Sequence, residues 1–282
     1  MATDPNTRTV LITGCSSGIG QATAERLAQA GWNVFASARK AQSLEHLRQR
    51  GCKTLALDVT DEASMQAAVD AVQSQAGGID ALVNNAGYSQ SGAVESVTPA
   101  QARAQFETNV FGLMRLTQLV LPGMRACGHG RIVNISSMGG TLTFPGGGWY
   151  HASKYALEAL SDALRVEVKR FGVQVVVVQP GLIRTAFDKA ALAALDGADA
   201  AGPYAEFNRR VGQATQEAYE KGPLARLGGE PDAVAKVIER ALSARHPRAR
   251  YTVTPSARLL MTMRRMMSDR AWDGFVASQF GL

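Results

Sequence analysis

The feature that most constrains this chain is a rhythm. Short, almost wholly apolar runs rich in β-forming side chains alternate with longer runs of helical periodicity. The short runs are Val10–Ile12, Asn33–Ser37, Thr54–Leu57, Ala81–Asn84, Arg131–Ser136 and Gln174–Val178. The helical patterns cover Gly18–Ala30, Ala41–Gln49, Asp61–Gln75, Pro99–Met124 and Tyr150–Phe171. Strands apolar on both faces belong inside a parallel sheet covered by helices. Strict β-α alternation then predicts a doubly wound α/β fold with right-handed crossovers.

After Thr185 the rhythm breaks. Residues 186–202 are rich in Ala, Asp and Gly and carry no amphipathic stripe. Pro203–Lys221 and Glu230–Ala244 read as helices, the second with Pro231 in its first turn. Arg250–Thr254 completes a sheet of about seven strands, and Ser256–Phe280 is helical in pattern. Without an internal repeat or a low-complexity linker, residues 1–282 read as one domain. The segment 186–229 is expected to be a lid beside the site, and 256–282 a C-terminal helical extension.

Several functions are excluded by what the chain lacks. The four histidines are scattered and none stands with Cys or carboxylates at metal-ligand spacing, so no metal site is expected. Three cysteines without a C-x-x-C pair argue against a disulfide framework and for a reducing compartment, the cytoplasm. No signal peptide and no membrane span is read from the sequence. With 30 Lys and Arg against 24 Asp and Glu, the net charge is +6 and the pI about 9.4. That balance raises nucleic acid as a partner, but no stripe of basic and aromatic residues supports it. The arginines are spread along the chain, except for a local patch from Arg245 onward.

The first strand runs into Thr13-Gly14-Cys15-Ser16-Ser17-Gly18-Ile19-Gly20 and then a helix. A glycine-rich turn at that place lets backbone amides approach a pyrophosphate, and the helix N-terminus adds partial positive charge. The spacing G-x-x-x-G-x-G differs from G-x-G-x-x-G, and no Gly-Lys-Ser/Thr follows, so a P-loop is excluded. The second strand ends in Ser37-Ala38-Arg39-Lys40. An NAD enzyme usually places an acid there to bond the ribose 2′-hydroxyl. Arg39 would instead attract a 2′-phosphate, with Ser16 adding a hydroxyl donor, so NADP(H) is favoured over NAD(H).

Tyr150 and Lys154 stand four apart at the start of a long helix and therefore share a face. A tyrosine titrates near 10, and lowering that by about 3 units takes roughly 4 kcal/mol. An ammonium about 4 Å away at an effective dielectric near 20 supplies about that much. The pair is a sufficient acid/base device if the cation reaches the phenol. Ser137, at the carboxyl end of the fifth strand, lies where open α/β sheets bind ligands, and its hydroxyl can hold a substrate oxygen.

Taken in order, Thr13–Gly20, Leu57-Asp58-Val59, Asn84-Asn85-Ala86-Gly87, Asn109, Ser137, Tyr150 with Lys154, and Pro180-Gly181-Leu182-Ile183-Arg184-Thr185 resemble the short-chain dehydrogenase/reductase superfamily. The resemblance covers nearly the whole chain and is tightest up to Thr185. Within the superfamily it is similar to the branch of 17β-hydroxysteroid and retinol dehydrogenases and bacterial NADP-dependent aldehyde/ketone reductases. It implies a Rossmann-type fold and a carbonyl or alcohol substrate, with Tyr150 exchanging the proton as hydride moves to or from the nicotinamide. It implies that Lys154 tunes Tyr150 and bonds the ribose, Ser137 polarises the substrate oxygen, and Asn109 holds a water linking Lys154 to solvent. It assigns cofactor contacts to Gly14, Ser16, Ser17, Gly18, Ile19, Gly20, Asp58 with Val59 at the adenine, Asn85, Ala86 and Gly87. Pro180 and Gly181 would line the cleft, with Ile183 and Thr185 at the carboxamide. It also implies a homodimer or homotetramer. Gly146-Gly147-Gly148 before Trp149 departs from the pattern and predicts a mobile segment beside the site.

Leu192, Leu195, Tyr204, Phe207 and Tyr219 of the lid, with Met138 and His151, are candidates for an apolar pocket, which favours a lipophilic ketone or aldehyde. The basic amphipathic pattern of 256–280 suits an anionic membrane surface or packing against the protein; the second is the reading taken. An epimerase or dehydratase on this fold, and an NADP-binding sensor without catalysis, remain as alternatives.

Overall fold

In the computed structural model, which describes residues 7–185, Ala191, Leu195 and residues 202–282, seven parallel strands form one sheet in the order β3-β2-β1-β4-β5-β6-β7. The strands are β1 Thr9–Ile12, β2 Asn33–Ala38, β3 Lys53–Ala56, β4 Ala81–Asn84, β5 Gly130–Ile135, β6 Val173–Gln179 and β7 Arg250–Thr252. The helices are α1 Gly18–Gln29, α2 Glu45–Arg48, α3 Glu62–Ala76, α4 Pro99–Phe106, α5 Leu113–Cys127, α6 Gly148–Glu167, α7 Ala205–Glu220, α8 Pro231–Ser243, α9 Pro255–Met266 and α10 Asp269–Phe280. This is a single doubly wound Rossmann-type domain.

Side-chain alternation along the strands builds two cores, one on each face of the sheet. Val10, Ile12, Val34, Ala36, Val133, Ile135, Val176 and Val178 point to one face, where Leu27 of α1 and Val234 and Ile238 of α8 cover them. Leu11, Phe35, Leu82, Ile132 and Val175 point to the other, beneath Val69 of α3 and Leu116 and Val120 of α5. Both faces must be apolar because both are covered, which is why the strands read as continuous apolar runs. Arg26 of α1 ties the first layer together through Asp232 at 2.9 Å and Glu239 at 2.7 Å on α8.

The order reverses between β1 and β4, so β1's crossovers leave to one side and β4's to the other. That switch point opens a crevice beyond the carboxyl ends of the strands.

Three elements differ from the sequence expectation. The single helix expected over Pro99–Met124 is split by a π-helical turn, Glu107–Gly112. At its end a Cβ on Gly112 would lie 1.9 Å from the Val59 carbonyl oxygen, so the turn lets the helix backbone touch the loop after β3. The helix expected over Ala41–Gln49 is a 3₁₀ turn, Ala41–Leu44, running into the short α2. The helix expected over Ser256–Phe280 is two, because Ser268 accepts from the Ala271 amide and starts α10 afresh.

α9 and α10 lay their apolar side on the protein. Leu260, Trp272 and Val276 are buried with Met138, Leu142 and Leu182 in a third cluster beyond the end of the sheet. Among the described residues no helix is long and apolar enough to cross a membrane.

Candidate active site

A cleft of about 1190 Å³ runs along the carboxyl ends of the strands, from Arg39 past Tyr150 to α7 and α10. Gly14, at φ +70°, and Gly18, at φ +61°, turn the chain out of β1. A Cβ on Gly20 would lie 2.2 Å from the Gly14 carbonyl oxygen and 2.6 Å from Asn85 Nδ2, so the loop closes only around glycine. The loop is anchored from β4: Asn85 Nδ2 donates to the carbonyls of Thr13 (2.9 Å) and Gly14 (3.0 Å). Thr13 Oγ1 in turn accepts from the amides of Asn85 and Ala86. Ser17 caps α1 without a side-chain hydrogen bond to the helix's N-terminal amides. That end lines the cleft with Ser16, Ser17, Gly18 and Ile19 and suits a diphosphate.

Arg39 stands exposed at the end of β2, on the rim, with no ion-pair partner among the described residues. Asp58 and Val59 line the cleft beside it, one oxygen of Asp58 holding Thr60 through its amide at 2.9 Å and its hydroxyl at 2.8 Å. Asn85, Ala86, Gly87, Pro180, Gly181, Ile183 and Thr185 line the middle. Of the residues expected at the site, Gly20 and Asn109 do not reach the cleft surface; Gly20 is spent on closing the loop.

Tyr150, His151 and Lys154 come from the first turns of α6, and Ser137 from the end of β5. The Ser137 Oγ accepts from the Gly139 amide at 3.0 Å, and the Ser137 hydroxyl acts on the Tyr150 phenol so as to lower its pKa. Lys154 is buried and its Nζ donates to the Ile135 carbonyl at 2.8 Å. Burial depresses its pKa to about 8, against the pull of the Glu158 carboxylate. The expected lowering of the tyrosine does not occur in the chain alone. The Lys154 Nζ is 5.8 Å from the ring centroid, and burial pushes the phenol up to about 12, with the Ser137 hydroxyl opposing. The ammonium is committed to a carbonyl, and desolvation of the phenol outweighs it.

Asn109 sits in the π turn, fully buried behind Gly87. Its Oδ1 accepts from the Tyr88 amide at 3.1 Å, and its Nδ2 donates to the Tyr88 carbonyl at 3.0 Å and Ser153 Oγ at 3.1 Å. It clamps the loop after Gly87 to α6; a Cβ on Gly87 would approach Asn109 Oδ1 to 3.1 Å and Lys154 Nζ to 3.8 Å.

The glycine run before Tyr150 is closely packed. Added Cβ atoms at Gly146, Gly147 and Gly148 would lie 2.6 Å from Val211, 2.9 Å from His151 and 2.7 Å from Val94. The substrate end beyond it is walled by Met138, Phe144, Leu182, Val211, Leu224 and Leu260. Leu195 and Tyr219 of the expected pocket line it; Tyr204 and Phe207 do not, and Leu192 lies outside the described residues. Sequence reading missed Phe144, Val211 and the tail residues Leu260, Phe275 and Phe280. The amphipathic period of the tail signalled an apolar face but not what it would meet. Among the described residues no cluster of three potential metal ligands occurs.

Comparison with known proteins agrees with this geometry. A family model described as short chain dehydrogenase matches residues 8–196. The uncharacterized oxidoreductase YbbO of Escherichia coli is 35% identical over 267 residues, 94% of this chain and 93% of that one. The NADPH-dependent 3-dehydrocapnine reductase of Ornithobacterium rhinotracheale is 34% identical over 276 residues, 94% of this chain and 95% of that one. Among solved structures, a short-chain dehydrogenase from Streptomyces avermitilis superposes with a TM-score of 0.79 at 36% identity, covering 92% of each chain.

Proposed function

The chain belongs to the short chain dehydrogenase family of oxidoreductases, and from that premise we propose that it reduces a lipophilic ketone or aldehyde with NADPH, or oxidises the matching alcohol with NADP⁺. The observation that carries the reading is one constellation lining a single cleft at the mouth of the sheet: Ser137, the Tyr150 phenol, Lys154 one helical turn away, and the N-terminus of α1.

The nicotinamide, when bound, supplies or removes the hydride. The chain's own residues do the rest. Ser137 and the Tyr150 hydroxyl hold the substrate oxygen, and Tyr150 gives it a proton during reduction or takes one during oxidation. With its pKa pushed up, the phenol stays protonated at neutral pH and is fitted to donate, which favours reduction. Lys154 bonds the ribose and returns the proton to Tyr150, and Asn109 holds the backbone around Lys154. The amides of Gly14–Gly20 receive the diphosphate, Asp58 and Val59 the adenine, Asn85, Ala86 and Gly87 the ribose side, and Pro180, Gly181, Ile183 and Thr185 the carboxamide.

Arg39 is the basis for NADP(H). Its guanidinium makes no ion pair among the described residues, and a 2′-phosphate would supply a charge-assisted partner. The 3-dehydrocapnine reductase, NADPH-dependent by name, supports the choice. Arg39→Asp is expected to lower the NADPH/NADH ratio of kcat/KM by about 10- to 150-fold, from the roughly 1.5–3 kcal/mol of a charged hydrogen bond. Steady-state kinetics with both cofactors checks this, and an unchanged ratio removes Arg39 from the site.

The test of the reaction is NADPH oxidation against a panel of ketones, aldehydes and sterols. Stoichiometric loss of NADPH with alcohol formation is expected; product without net NADPH loss would mark an epimerase or dehydratase. We further read 186–229 as a lid over the substrate end and 256–282 as its helical wall, and the protein as cytoplasmic. The exposed apolar side chains Phe111, Leu160 and Val166 on and beside α6 support a homodimer or homotetramer.

A further inference from the structure

One buried group in the cleft has no part in the proton transfer described above. His151 follows Tyr150 on α6, is only 7% exposed, and lines the substrate end. Its Nδ1 lies 3.1 Å from the Gly139 carbonyl oxygen. A carbonyl oxygen can only accept, so Nδ1 carries the hydrogen and Nε2 of the neutral ring is left as an acceptor. Burial keeps the ring neutral by lowering its pKa to about 4.

No donor among the described residues reaches Nε2. Glycines hold the imidazole on two sides: a Cβ on Gly139 would lie 2.4 Å from Nδ1, and one on Gly147 would lie 2.9 Å from Nε2. Phe144 and Tyr150 pack beside it, at 6.0 Å and 5.6 Å between ring centroids. The cleft wall around it is largely apolar, with Met138, Leu182 and Leu260, so a fixed acceptor without a protein donor among the described residues stands next to the proposed proton donor. A ligand that displaces water there without bringing a donor leaves the acceptor unpaired, whereas one that carries the donor keeps the bond, and that difference discriminates between them.

We propose that His151 Nε2 is a specificity-determining acceptor, and that the substrates of this enzyme are lipophilic carbonyl compounds bearing an O–H or N–H donor on the carbon α or β to the carbonyl. This rests on the carbonyl-reductase reading and narrows its substrate class. The pocket takes the apolar part against Phe144, Leu182 and Leu260, and His151 reads the donor.

The test uses matched pairs: acetophenone against α-hydroxyacetophenone, and propiophenone against β-hydroxypropiophenone. In the wild type at least one pair is expected to favour the hydroxyketone by about tenfold or more in kcat/KM, which is roughly 1.4 kcal/mol. His151→Phe is expected to remove that preference and His151→Gln, which keeps an acceptor, to retain part of it. Gly147→Ala, at a φ of −121° that alanine accepts, sets a methyl 2.9 Å from Nε2, so the ring must shift off its seat and its acceptor is covered; it is expected to cut the preference even if His151→Phe fails to fold. The same pairs are titrated as ligands by thermal shift. A hydroxyl preference in binding that His151→Phe or Gly147→Ala abolishes, without turnover of any ketone, would uphold the acceptor and reject the reductase reading. Equal handling of both members of each pair by the wild type, or a preference untouched in both variants, overturns the proposal.

Discussion

Tyr150→Phe is expected to lower turnover of every carbonyl substrate by about 10³-fold or more, within the range that a placed proton donor contributes. NADPH binding, followed by its fluorescence, should change by no more than about twofold, because the ring and the many other contacts of the cleft remain. The melting temperature should hardly move: the ring keeps its packing, and the Ser137 Oγ that faces the lost hydroxyl keeps the Gly139 amide at 3.0 Å. The wild-type pH profile follows from the same group. A phenol pushed to about 12 is protonated across the neutral range, so ketone reduction should be level there. Alcohol oxidation needs the phenolate and should climb with pH over the same interval. A variant that keeps a tenth of wild-type activity, or an oxidation rate already level from pH 6, would remove Tyr150 as the proton-handling group.

Reading the chain in one dimension succeeded where a single physical cause acts locally. The strands were legible because a strand covered on both faces has to be apolar throughout, as Val175–Val178 shows. The glycine loop was legible because the turn out of β1 needs positive φ at Gly14 and Gly18. The Tyr150–Lys154 pair was legible because a spacing of four always shares a helix face. What was lost depends on partners far along the chain. The π turn that presents Asn109 exists because Gly112 meets the loop after β3, and no local pattern encodes that approach. The close packing of the glycine run at 146–148 was not legible, because two of the three side chains that need its space, Val94 and Val211, lie far along the chain. The break between α9 and α10 was visible in principle, since Ser268 followed by Asp269 is a helix start, but the continuous amphipathic pattern masked it.

The electrostatics of the proposed proton donor was the largest misreading, and its origin is instructive. Spacing alone gave the distance between two residues along a helix, and from it a short separation between phenol and ammonium was inferred. The actual Nζ turns toward the end of β5, where Ile135 offers a carbonyl. Both groups then feel burial more strongly than each other, and burial moves their pKa values in opposite directions: the neutral phenol and the neutral amine are both favoured. The apo chain therefore stores unfavourable solvation in the residues it needs for chemistry.

Lys154→Met makes that storage measurable. Activity should fall by at least about 10²-fold, since the group proposed to hold the ribose and feed the proton to Tyr150 is gone. Stability should rise. Lys154 titrates near 8 in the folded chain against 10.5 for an ordinary lysine. In the window between those values the unfolded chain holds more protons than the folded one, so folding stability increases with pH through it. Below pH 8 both states carry the charge and the folded state bears the whole penalty, on the order of 3 kcal/mol at about 1.36 kcal/mol per unit. Methionine fills a similar volume without a charge and forfeits one hydrogen bond to Ile135, worth about 1 kcal/mol. The net expectation at pH 7 is a gain of about 1–2 kcal/mol, read as a melting temperature several degrees above wild type. The gain should shrink as pH is raised from 8 toward 10.5, because the wild type sheds its penalty there. A variant that melts below the wild type at pH 7, or a difference that does not narrow with rising pH, would mean that Lys154 is paired well enough in the folded chain to stabilise it.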